Sequence, residues 1–157
     1  MGQKLITVLS EMIQLHEILI PLSERKHEAI IERDLESLTD IMKSEKDLLL
    51  QLNLLEEQRQ QLTSELAGDQ EQTLKEVLGK LSPAVKRMVE SRANELKQQA
   101  EKLKGLNEQN EELLKDAMAF IHHMIGHLTT PREQSITYGR PNQKKTAAPR
   151  GYFDTKA

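Results

Sequence analysis

Between Pro83 and Pro131 the chain contains no proline, and a series with steps of three and four runs through the whole interval: Val85, Val89, Arg92, Leu96, Gln99, Leu103, Leu106, Asn110, Leu113, Ala117, Phe120 and Met124. That spacing puts one side chain per turn on one face, so the interval reads as a single amphipathic helix of about 47 residues, about 70 Å long at 1.5 Å per residue. A helix of this length cannot bury its own stripe. It needs partner helices of comparable length, and the rest of the chain supplies them.

The first partner, over about residues 3–33, carries Leu5, Val8, Met12, Leu15, Leu19, Leu22, Lys26 and Ala29 at the same spacing. Pro21 falls inside it and predicts a kink near Glu17–Ile20 or a short break, because proline removes one helical hydrogen bond and crowds the preceding turn. Asp34 is placed to cap the second partner, about 34–67, whose seam is Leu38, Ile41, Glu45, Leu48, Leu52, Leu55, Arg59, Leu62 and Leu66. Gly68 ends that helix, and Asp69 with Gln72 forms a capping box that opens a short helix over about 69–80. Ser82-Pro83 restarts the chain as the long helix, 83–129. The connections are short enough to force antiparallel neighbours. The predicted fold is all-α: an elongated antiparallel three-helix bundle or coiled coil, residues 1–130, with one short extra helix and a disordered basic C-terminal tail, 131–157.

Composition agrees, with aromatics at 3%, charged residues at 30% and no cysteine. Disulfides and thiolate chemistry are thereby excluded, and neither a membrane span, which needs about 18 successive apolar residues, nor a leader segment is expected. Gly2 is followed by Ile6 where a myristoylation signal needs Ser or Thr. The net charge of −3 divides into −7 on residues 1–130 and +4 on the tail, which weighs against nucleic-acid binding by the body. Three of the four aromatics, Tyr138, Tyr152 and Phe153, sit in the tail. With Ile136 they are the expected recognition residues of that segment.

No catalytic, metal or cofactor site is expected. His123 and His127 are one turn apart, but no His-Glu-x-x-His pattern or thiolate completes a site, and His16 reads as a flank of the first seam. The adjacent pairs Glu56-Glu57 and Glu111-Glu112 lie on wet faces, and no phosphate-binding loop or nucleophile elbow occurs. The polar seam residues Glu45, Arg59, Arg92, Gln99 and Asn110 read as register-setting positions. More telling is a second apolar row beside the first at the end of the long helix: Leu114, Met118, Ile121 and Ile125. This row is the candidate binding face for an amphipathic helix of another protein, although a thick core would also account for it.

The acidic leucine-rich N-terminal half with its Ile31-Glu32-Arg33-Asp34-Leu35-Glu36-Ser37-Leu38 turn, the Ser-Pro restart, the long last helix and the closing Tyr152-Phe153-Asp154-Thr155-Lys156-Ala157 together resemble the FlgN family of flagellar export chaperones. The resemblance implies a cytoplasmic, non-enzymatic chaperone of type III export that keeps the hook-filament junction proteins FlgK and FlgL unassembled. It also implies peripheral contact with the membrane export machinery through the gate protein FlhA, with cargo engaged by the end of the last helix and the tail. Either Tyr138 or Tyr152 would serve the gate. Pro21 and the length of the tail depart from the family picture. The alternative class is a coiled-coil adaptor or dimerising scaffold, a homodimer in which a second copy fills the seam of the last helix.

Overall fold

The computed structural model describes residues 1–68 and 74–129. They form α1 (Gly2–Glu32), α2 (Leu35–Ala67), α3 (Leu74–Gly79) and α4 (Pro83–Thr129), with no strand among the described residues. The all-α expectation holds. The Asp69–Gln72 capping box and the tail lie outside the described residues. Contacts divide the chain into two units, Met1–Glu111 and Glu112–Ala157, with α4 continuous across the division.

Within the first unit α2 runs antiparallel to α1 and α4 parallel to it. Leu66 packs with Leu5 and Leu9, whereas Leu48 and Leu52 pack with Leu19 and Ile20, so α2 reverses direction. Leu5 and Leu9 share a cluster with Val85, Val89 and Leu96, and Leu19 and Ile20 share one with Leu103 and Leu106, so α1 and α4 run together; side-chain hydrogen bonds from Ser23 and His27 to Asn107 and Asn110 join them farther along. The central element is α1. Its buried residues include the predicted Leu5, Val8, Met12, Leu15, Leu19 and Ala29, and also Ile6, Leu9, Ile13, His16, Ile20 and Ser23, a second row that faces a second neighbour. Each large apolar side chain so buried contributes about 1.5–3 kcal/mol. By length and composition α1 could cross a membrane, with a mean hydropathy of 1.5 over 18 residues, but 56% of that window is buried inside the protein.

Pro21 does not break α1, which continues helically from Gly2 to Glu32. The proline is exposed while Leu19, Ile20 and Ser23 are buried, so its ring projects into solvent and packing on the other side holds the helix together. Gly2 is buried where a Cβ would stand 2.6 Å from Val85 Cγ1, so its lack of a side chain permits the close approach of α1 to α4. His16 is buried as well, not at the seam's edge, and its Nδ1–H donates to the Met12 carbonyl at 2.8 Å.

The turn between α1 and α2 is closed by local chemistry. Arg33 adopts a left-handed conformation (φ 59°), and the Asp34 N–H donates back to the Ala29 carbonyl at 3.0 Å. The Asp34 carboxylate then caps α2, accepting from the Ser37 hydroxyl (2.6 Å) and the Ser37 N–H (3.1 Å). At the other end Gly68 terminates α2 with φ 77°, and Lys80 Nζ donates to the free carbonyls of Leu66 and Ala67 at 3.2 and 2.9 Å, placing a cation at the negative end of the helix. Two polar seam positions prove to be each other's partners: Lys26 of α1 meets Glu45 of α2 at 2.8 Å, both largely covered.

Ser37 holds the Asp34 carboxyl below its ordinary range, and the two-pronged hydrogen bond from Arg59 does the same for Glu56 while raising Arg59. Both carboxylates are depressed in the fold, so their contribution is complete above the unfolded values, near 4, and disappears as pH falls through the folded ones. The expected result is a urea midpoint unaffected by these two groups above about pH 5 and eroded by them below about pH 4.5. Asp34→Asn, which keeps an N-cap acceptor but cannot titrate, should remove part of that slope, as followed by helical circular dichroism.

Candidate functional site

The predicted binding row lies in the second unit. Leu114 and Ile125 are half-buried, and Met118 and Ile121 are 53% and 49% exposed. From the adjacent row Phe120 and Met124 stand 52% and 46% exposed, and Leu128 at the end of the helix reaches 80%. At 100° per residue the apolar positions from Leu113 to Leu128, Ala119 apart, fill one arc of about 160°. No polar residue falls within it. Lys115, Asp116, His122, His123 and His127 share the remaining circumference, where the His123 and His127 rings meet edge to face at 4.7 Å. A thick core does not describe Met118, Ile121 or Leu128, whose side chains reach solvent.

The arc contrasts with the earlier part of α4, where Val89, Leu103 and Asn110 are buried and Leu96 and Leu106 half-buried. The seam is therefore used in the first unit except at Arg92, which is exposed and pairs with Glu95 of its own helix, while beyond Leu113 the same periodicity presents itself outward. A continuous apolar strip of this width, rimmed by charge, suits the apolar face of an incoming amphipathic helix. Met118 and Met124 add an adaptable lining, since an unbranched thioether repacks readily. The tail residues Ile136, Tyr138, Tyr152 and Phe153 lie outside the described residues.

Two further surface features escaped the sequence reading. One is a groove of about 560 Å³ in the first unit, floored by Leu5 and Leu9 and walled by Arg59 and Thr63 of α2 and by Ala93 and Lys97 of α4. The small residues Ala93 and Ala100 were its only trace in the sequence. The other is the outward side of α2, where Leu49, Leu50 and Leu54 are exposed. The run Leu48-Leu49-Leu50 signals it, because three successive leucines cannot all face one seam. Among the described residues no group of three His, Asp or Glu side chains converges as a metal site.

Comparison with known proteins adds independent information. The family described as FlgN protein matches residues 1–146. A relative from Bacillus subtilis (strain 168), named Uncharacterized protein YvyG, is 30% identical over 161 residues and covers 99% of each chain. No solved structure matches. The match takes in every described helix, including the outward arc of α4, and the chain belongs to the FlgN family of flagellar export chaperones.

Proposed function

We propose that the apolar arc at the end of α4 holds the amphipathic terminal helices of the hook-filament junction proteins FlgK and FlgL in the cytoplasm. There it keeps them from assembling before they reach the type III export apparatus. The observation that carries this reading is the exposure of Met118, Ile121, Met124 and Leu128 along a single apolar strip, with Leu114 and Ile125 completing its floor. Junction subunits assemble through helices whose apolar faces need cover while they are single, and a strip of this kind supplies it without a reaction. The tail, with Ile136, Tyr138, Tyr152 and Phe153, is assigned to recognition alongside the arc and to docking on the export gate protein FlhA.

The test is calorimetric binding of a peptide spanning the C-terminal helix of FlgK. Replacing Leu114, Ile121 and Ile125 together by Ser should weaken binding about 100-fold, at roughly 1 kcal/mol of lost burial for each side chain. Helical circular dichroism should be unchanged. Deletion of Arg132–Ala157 should also weaken binding. Unchanged affinity in both helical variants would refute the assignment.

A further inference from the structure

Five histidines occur in the chain, and three of them fall in the last turns of α4. His16 is buried with its Nδ1 at the Met12 carbonyl, and His27 Nδ1 meets Asn110 Oδ1. His123 and His127 differ from these. Both are exposed, neither forms a hydrogen bond or ion pair among the described residues, and each has the other as its ring contact, the centres 4.7 Å apart and the planes at 85°.

Residues four apart on a helix stand one above the other, the spacing by which paired histidines on a helix hold zinc. A ring nitrogen lies ~1.1 Å from its ring centre, so an ion bound at about 2.1 Å stands about 3.2 Å from that centre. Two rings at about 90–110° around one ion then have centres about 4.5–5.2 Å apart. The observed 4.7 Å falls inside that interval. Imidazole suits zinc, nickel and copper, and with no cysteine in the chain no thiolate competes for them. The local field also favours a cation. His127 lies in the last turn of α4, where uncovered carbonyls form the negative end of the helix, and at 100° per residue Glu112 and Asp116 share the flank of the pair.

From this we infer that His123 and His127 chelate one divalent transition-metal ion, zinc or nickel, with water in its remaining positions. The sequence supplies no third ligand, and a two-point chelate needs none. The ion clips two successive turns together, so fraying of the end of α4 has to break it. Both rings lie outside the apolar arc, with His127 beside its Phe120 edge, so the clip steadies the turns that carry Met124 and Leu128 and leaves the arc open. The site stands on its own geometry and does not depend on the cargo reading.

Isothermal titration of the untagged full chain with Ni²⁺, and separately with Zn²⁺, should show one ion bound per chain. His123→Ala or His127→Ala should weaken binding about 100-fold, the gain that joining two ligands on one scaffold gives over either alone. His122→Ala, about 100° round the helix from His123, should leave it unchanged. Mg²⁺, which takes oxygen ligands, should not bind. With free Ni²⁺ at about nine times its Kd, amide hydrogen exchange through opening of residues 124–129 should slow about tenfold in the native chain and not in His127→Ala. No Ni²⁺ binding, binding that survives either substitution in the pair, or an equal loss in His122→Ala would overturn the inference. So would Mg²⁺ binding as tightly as Ni²⁺, which moves the ion to Glu112 and Asp116, or exchange in residues 124–129 that is unaltered by the bound ion. Alanine is the best helix former, and circular dichroism of each variant confirms that the helices persist.

Discussion

Leu19→Ala is expected to cost about 3 kcal/mol of stability, read as a shift of the urea midpoint with little change in slope. Leu19 is 3% exposed and packs with Ile20 of its own helix and Leu103 of α4, with Leu48 and Leu52 of α2 against the same cluster. Truncation there opens a cavity that two flanking helices would have to close together, and interiors relax only partly around such a loss. The neighbouring Ile18 is 52% exposed, and Ile18→Ala should move the midpoint hardly at all. Equal costs at the two positions would contradict the placement of α1 between its partners.

Asn110→Ala is expected to cost about 2 kcal/mol for a different reason. Asn110 is 2% exposed, and its amide donates to the Ser23 carbonyl (2.9 Å) and the Ser23 hydroxyl (3.1 Å), while its Oδ1 accepts from His27 Nδ1–H at 3.2 Å. The Ser23 hydroxyl in turn donates to Asn107 at 3.0 Å. Removing the amide strands covered polar groups on α1. Removing both ends, as Ser23→Ala with Asn110→Leu, strands fewer of them and should recover much of the loss. A double-mutant cycle with no coupling between the two sites would show that the network does not hold α1 and α4 in register.

Periodicity was enough to read the bundle, because a helical stripe records directly which residues turn inward. Leu5, Met12 and Leu19 in α1 and Val89 and Leu103 in α4 are buried where their spacing placed them. The Asp34 cap was legible for the same local reason, its acceptor lying three residues from the amide it serves. A single seam trace cannot, however, say how many neighbours a helix has. Ile6, Leu9, Ile13 and Ile20 were passed over in α1 because one row satisfies one partner and α1 has two. Of the two outcomes Pro21 allows, a kink or a short break, the break does not occur, because the packing of Leu19, Ile20 and Ser23 that carries the helix past it is a tertiary matter that local sequence does not record. At the end of α4 the residues were visible as two rows, while their exposure was not, since that depends on what else the chain brings to them.

The central place of α1 also bears on the order in which the protein is made. α2 follows it at once, so those two can pair while α4 is still being synthesised, whereas the α1–α4 hydrogen bonds join residues 83 to 87 positions apart. Distant contacts form late and slowly. Until they do, the flank of α1 reserved for α4 faces water, in the stretch whose mean hydropathy is 1.5. For that interval the newborn chaperone displays a greasy helical surface of the kind a chaperone exists to cover, and its own last helix is the first cargo that surface receives.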